Sequence, residues 1–176
     1  NMINFDEAAD NLGADAMRYL FSRQSPTNPL RFGFELGAQA RKPLETLLNT
    51  ACFLKLYAQI DKVEIKGIAD PRKLKNTTDR WLCSRTEEFC VTAEEAYEKA
   101  DTATITREFQ TFVDDLSNWY VRVNKSRFWK NENDLDKADA FEVLHQALKK
   151  VCLVMAPIVP FLSEHIWQDV IRPFQT

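Results

Sequence analysis

The stretch Asn118-Trp119-Tyr120-Val121-Arg122-Val123-Asn124-Lys125-Ser126-Arg127-Phe128-Trp129-Lys130 sets four cations among flat rings and contains no acid. Its charge is +4 over thirteen residues, in a 176-residue chain whose 23 basic and 26 acidic side chains leave −3. Cations beside aromatic planes suit single-stranded RNA, because phosphates take the charge and unstacked bases lie on the rings. Arg122, Lys125, Arg127 and Lys130 are the candidate phosphate contacts, and Trp119 or Trp129 the candidate stacking plane. A plainer reading of the same residues is a basic helix end with its aromatics packed inward.

Two further segments bear on this choice. Asp79-Arg80-Trp81-Leu82-Cys83-Ser84-Arg85 opens a predicted helix with an acid near its N-terminus, where a carboxylate is favoured. Trp81 and Arg85 are four apart and within stacking reach, so Arg85 is either a structural clamp or a phosphate contact. Residues 86–101 carry Glu87, Glu88, Glu94, Glu95, Glu98 and Asp101 against Lys99, a sum of −5. That is a solvated face which repels a polyanion.

Catalysis has little to draw on. The two histidines are His145 and His165, and Glu142-Val143-Leu144-His145 supplies one Glu-x-x-His spacing where a di-iron bundle needs two. The expectation for His145 is a solvated or rim histidine. No Walker loop, dinucleotide fingerprint or Gly-x-Ser-x-Gly elbow is present. Cys52, Cys83, Cys90 and Cys152 form no Cys-x-x-Cys pair and read as reduced core cysteines, not zinc ligands. The sequence therefore predicts no catalytic residue, no metal site and no cofactor held by this chain.

The elements that must position these residues are helical. Only 4 glycines, 45% hydrophobic and 28% charged residues describe an ordinary all-α globular chain. Its mild acidity excludes a broadly basic nucleic-acid coat. Apolar residues recur three and four apart over residues 39–57, with Leu44, Leu47, Leu48, Ala51, Phe53, Leu54 and Tyr57. The stripe over 78–100 reads Leu82, Phe89, Ala93, Ala96, Tyr97 and Ala100. That over 104–129 reads Ile105, Phe109, Phe112, Val113, Leu116, Tyr120 and Val123. That over 136–155 reads Phe141, Leu144, Leu148, Val151, Cys152 and Met155. Pro43 occupies a first turn or kinks a longer helix. Two short N-terminal helices break around Gly13, and loops are expected at 25–29, 66–71 and 131–134. Pro157 and Pro160 stop or bend the long helix, which restarts at Phe161 and runs to about Ile171. Long helices joined by short loops predict an antiparallel helix bundle over 35–176, with a short helical appendage over 1–34. No segment has the features of a signal peptide or a membrane span. A cytoplasmic monomer with no membrane contact is the expectation.

Four ordered strings resemble the class I aminoacyl-tRNA synthetases. Gly13-Ala14-Asp15-Ala16-Met17-Arg18 is similar to their Gly-Ala-Asp-Ala-Leu-Arg segment, and Asp79-Arg80-Trp81 through Ser84-Arg85 to their Asp-Arg-Trp-x-x-Ser-Arg helix start. Asp114-Asp115-Leu116-Ser117-Asn118-Trp119-Tyr120, followed by Arg127-Phe128-Trp129, resembles the isoleucyl branch. Valyl enzymes usually have Cys-Asp-Trp-Tyr there. Met155-Ala156-Pro157-Ile158-Val159-Pro160-Phe161-Leu162-Ser163-Glu164 is similar to the shared Ala-Pro-x-x-Pro-Phe-x-x-Glu ending. The resemblance covers residues 5–168. It implies the anticodon-binding helix bundle of an isoleucyl enzyme, with a connector at 1–34 that follows an absent catalytic domain.

Further implications follow from that resemblance alone. The parent would ligate isoleucine to its tRNA with ATP and magnesium. The His-Ile-Gly-His and Lys-Met-Ser-Lys-Ser signatures are absent here, so this chain would bind neither nucleotide nor amino acid. Its partners would be the isoleucine tRNA and the remainder of the synthetase chain. The resemblance adds Asn49 and Arg85 to the RNA-binding candidates; the plainer reading of Asn49, in its apolar run, is a buried amide. Val123-Asn124-Lys125 stands where family members are often Arg-rich. Binding energy spent on a distant anticodon would position the acceptor end without making or breaking a bond. The rival readings are a helical protein-interaction module and the equivalent domain of a valyl or leucyl enzyme. A metal-dependent bundle enzyme is a distant third.

Overall fold

The computed structural model describes residues 4–24, 29, 31–66 and 70–174. Most of the loop expected at 25–29 and the centre of that at 66–71 lie outside those residues. The described residues form helices α1 (Phe5–Leu12), α2 (Ala14–Ser22), α3 (Phe34–Asp61), α4 (Thr77–Glu98) and α5 (Thr102–Asp114). The wider π-helical stretch Asp115–Val121 continues α5, and α6 (Lys125–Trp129), α7 (Leu135–Met155) and α8 (Pro160–Ile166) follow. A second π-helical stretch, Trp167–Ile171, and a 3-10 turn, Arg172–Phe174, extend α8. No strand occurs among the described residues.

Side-chain caps fix where the long helices begin. Asn76 accepts the Thr78 N–H, Asp101 that of Thr104 and Asp134 that of Lys137, each satisfying an orphan donor of a first turn. Pro160 opens α8, where its missing N–H costs nothing. Pro43 lies well inside α3, not in its first turn.

The four long helices alternate in direction along the chain. Glu87 meets Lys150 and the Tyr97 hydroxyl donates to the Val154 carbonyl, so α4 and α7 run parallel. Lys137 pairs with Asp61, joining the start of α7 to the end of α3, so those two are antiparallel. Facing residues along α3 and α5 climb in the same sense, from Lys42 and Arg107 to Phe53 and Lys125. The stripes of α3, α4, α5 and α7 close one apolar core, in which Phe89 stacks on Phe112 and Phe128 meets Phe141 edge-on. Burial pushes the Cys152 thiol up to about 12, whereas Cys52 is exposed, contrary to the expectation of a core residue. Its position on α3 places it on the solvent side of a helix whose buried stripe runs through Thr50, Ala51 and Leu54.

Motifs far apart in sequence hold each other. Asp15 of α2 accepts the Phe161 and Leu162 N–H groups at the start of α8 (3.4 and 2.6 Å). Arg18 donates to the carbonyls of Pro157 and Ile158 (2.8 and 3.0 Å). The first and last of the four strings are thus one junction. The second and third form another, centred on Asp79.

Three further expectations about the core change. The segment 104–129 is not one α-helix. At about 100° per residue, Val123 would fall within about 20° of Leu116, on the buried side. The π-helical stretch accommodates extra chain per turn, so Asn124 is buried in its place and Val123 is exposed. Ala100 is exposed and left-handed (φ 53°) just past the end of α4. There the Asp101 N–H reaches the Ala96 carbonyl, which closes the helix and takes Ala100 off its stripe. His145 is neither solvated nor at a rim: it is 0% exposed, with Nε2 3.2 Å from the Ile171 carbonyl oxygen and Nδ1 unpartnered. The turn after α8 folds back over it, a tertiary contact that periodicity does not encode.

Candidate nucleic-acid interface

Helix α3 presents Lys42, Thr46, Asn49 and Phe53 at four-, three- and four-residue steps, one continuous face. The facing side, running from α5 through its π-helical continuation to the start of α6, presents Arg107, Thr111, Asp114, Asn118, Arg122 and Lys125. Between them run two clefts end to end. One of about 280 Å³ lies beside Asn49, Thr50, Phe53, Ser117, Arg122 and Lys125. A wider one of about 520 Å³ lies beside Lys42, Thr46, Arg107, Gln110, Asp114 and Asn118.

Three of the eight candidates from the sequence, Asn49, Arg122 and Lys125, therefore line one cleft, though they come from helices some seventy residues apart. Asn49 is exposed there, not a buried amide. Arg122 makes no ion pair among the described residues. The Lys125 ammonium sits 4.1 Å from the centre of the Trp129 ring, a cation–π contact. Trp129, 49% exposed, also approaches Tyr57 of α3, with ring centres 6.3 Å apart. The smaller cleft thus has two cations, an amide and the Phe53 ring in its lining, with Trp129 beside it under Lys125.

The remaining candidates stand elsewhere. Trp119 is 42% exposed but lies on the α4 side of the π-helical stretch, packed on Trp81 with ring centres 4.3 Å apart. Arg85 does not stack on Trp81. Its guanidinium sits over Phe112 (5.6 Å) and donates to Asp115 (2.8 Å), with Glu88 and Glu108 near it. Lys130 is paired with Asp134 and Asp136 (2.7 and 3.0 Å), whose hydrogen bonds hold its ammonium above its ordinary pKa against the opposing effect of partial burial.

Arg127 is the most committed cation of all. Both Nη atoms donate to Asp79, each at 2.7 Å, and further bonds reach the Asn124 side chain and the Asp136 carbonyl. Its side chain is 11% exposed and Asp79 is 0% exposed. Burial works against the charge, yet the hydrogen bonds to Asp79 and Asp136 outweigh it and raise the Arg127 pKa. The Tyr120 hydroxyl donates to the same Asp79 carboxylate (2.8 Å). Burial and that neighbouring negative charge push the Tyr120 pKa well up, so the phenol stays protonated and donating. This cluster joins the start of α4, the π-helical stretch, α6 and the start of α7, and so sets the direction in which Arg122, Lys125 and Trp129 project.

Several groove residues escape a reading by local composition. Lys42, Thr46, Arg107 and Gln110 sit in no basic cluster. The signal that finds them is the polar face at helical spacing on α3, matched to a second on α5. The acids of the run over 86–101, by contrast, are all exposed, as expected of a solvated face. Among the described residues no group of three or more His, Cys, Asp or Glu side chains is placed to hold a metal ion.

Comparison with known proteins gives the family. The chain is 38% identical over 175 residues to an isoleucine–tRNA ligase of Thermus thermophilus, covering 98% of this chain and 17% of that protein. It is 40% identical over 169 residues to one of Thermobifida fusca, covering 93% and 16%. A third, from Cytophaga hutchinsonii, is 35% identical over 173 residues, covering 97% and 16%. The chain thus spans about one sixth of the length of these relatives. The sequence profile of the anticodon-binding domain of tRNA ligase matches residues 79–176, from the buried Asp79 to the end of the chain. On that match the chain belongs to the family of anticodon-binding domains of tRNA ligases.

Proposed function

We propose that this chain is the tRNA-binding helical part of an isoleucine–tRNA ligase, a cytoplasmic and monomeric enzyme whose ATP, magnesium and amino acid are handled by the remainder of its polypeptide. The single observation that carries the reading is the cleft where Asn49, Arg122 and Lys125 converge beside Trp129, in a molecule of net charge −3. Arg122 and Lys125 meet phosphates, Trp129 offers a plane to a base once Lys125 swings aside, and the Asn49 amide can both donate and accept at a base edge. Trp119 adds a second plane on the other side of the π-helical stretch. Arg127, Arg85 and Lys130 serve the interface by bracing it, with their own donors turned to carboxylates. Residues 1–34 act as the connector to the preceding domain, and 35–176 as the binding bundle.

The test is binding of the chain to isoleucine tRNA and to the same tRNA with altered anticodon bases, at low and moderate salt. Preference for the native anticodon, reduced by Arg122→Ala and by Trp129→Ala, is the expected result. Equal binding to both RNAs removes anticodon reading. No binding at any salt removes the RNA role of the isolated chain.

A further inference from the structure

The groove does not end where the sequence-derived candidates end. The wider cleft continues the smaller one along the same face of α3, and from Lys42 to Phe53 that face runs about 16 Å at 1.5 Å per residue. Its lining differs in kind. Lys42, Thr46, Arg107, Gln110 and Asn118 are donors, and no aromatic side chain borders it. Neither Lys42 nor Arg107 makes an ion pair among the described residues; Arg107 only donates to the Thr104 hydroxyl (2.9 Å). The one acid, Asp114, is tied to the Asn118 amide, and its lone pairs suit a ribose hydroxyl rather than a phosphate. Together the two clefts present four cations to one acid, while the −5 run lies on α4, beyond α5.

We infer that this second cleft holds the sugar–phosphate backbone of the RNA strand whose bases lie at the Trp129 end, with Lys42 and Arg107 as phosphate contacts. The inference rests on the tRNA-binding reading and extends it to residues that read no base. A lining without flat rings cannot stack bases, whereas cations and amide donors match phosphate oxygens and ribose. Contacts of this kind bind every sequence alike and weaken as salt rises, since each neutralised phosphate releases counterions.

The experiment titrates fluorescently labelled isoleucine tRNA with the 176-residue chain between 50 and 200 mM salt, comparing the parent with Lys42→Ala/Arg107→Ala. Both positions are exposed on helices, so the substitutions leave the core untouched, and circular dichroism verifies this. Loss of two single-strand phosphate contacts lowers the slope of log Kd against log salt by about 1.4, at about 0.7 per contact. The affinity loss at 50 mM is expected to be the same for native and altered anticodons. Lys42→Arg/Arg107→Lys, which keeps both charges, retains the parent slope. The control Lys73→Ala/Lys99→Ala removes two exposed cations away from the groove. If the parent binds and the groove variant keeps its slope, or the control loses as much as the groove variant, the inference is overturned while RNA binding stands. If the parent binds no RNA, the tRNA-binding reading fails first and this inference falls with it.

Discussion

Replacing Asp79 with Ala removes the acceptor on which three helical segments converge. Arg127 would lose two charge-assisted bonds of 2.7 Å, and Tyr120 its 2.8 Å acceptor, at a point with no access to water. Deleting one partner of a buried ion pair costs about 3–5 kcal/mol, because the survivor stays desolvated and unpaired. Here Asp136 remains 2.8 Å from the guanidinium and is itself partly exposed, so the lower end applies, about 3 kcal/mol. At about 2–4 °C per kcal/mol for a domain of this size, Tm falls by about 6–12 °C. Urea unfolding followed by circular dichroism and tryptophan fluorescence measures the change as a lower midpoint with an unchanged slope. A second variant separates causes. Asp79→Leu/Arg127→Met removes both charges and fills the site with apolar atoms, so it should be more stable than Asp79→Ala. A loss under about 1 kcal/mol for Asp79→Ala would mean that the pair is not the clamp described, since ordinary surface changes reach about half that. A double variant no more stable than the single would refute the stranded guanidinium as the source of the cost.

Two further outcomes follow from strained or buried groups. Ala100 holds a left-handed conformation that costs an L-residue about 1–2 kcal/mol, and glycine gives back part of that gain as extra freedom in the unfolded chain. Ala100→Gly should therefore stabilise the fold by about 0.5–1 kcal/mol in the same urea assay, and a loss of stability would contradict the left-handed geometry. Burial lowers the His145 pKa, outweighing the Ile171 carbonyl and Glu142, which raise it, while Lys149 lowers it further. The unfolded chain then takes the proton more readily below about pH 6.5, so stability present at pH 7.5 is lost progressively as pH falls past that value. The same titration in His145→Gln should show a shallower slope between pH 7 and 5, and an unaltered slope would assign the pH dependence to other groups.

The sequence by itself determined the helices and the identity of the motifs. Periodicity at 3.6 residues needs only neighbours on one helix, so the stripes of α3 and α7 could be read residue by residue, and the prolines marked the start of α8 for equally local reasons. It also singled out Arg122, Lys125, Trp129 and Asn49 by residue type and resemblance. Which cations remain available to a ligand was decided only by tertiary structure. Arg122 and Arg127 are alike in type and both lie in the same basic run, yet one faces a cleft and the other is locked to a carboxylate 48 residues away. The π-helical stretch is the physical reason for much of this. A wider turn between Asp115 and Val121 rotates everything after it, burying Asn124 and Phe128 and leaving Val123 in water. Composition and α-helical period carry no record of that rotation. Arg127 and Tyr120 then reach Asp79, a contact that exists only once α4, the π-helical stretch and α6 have come together.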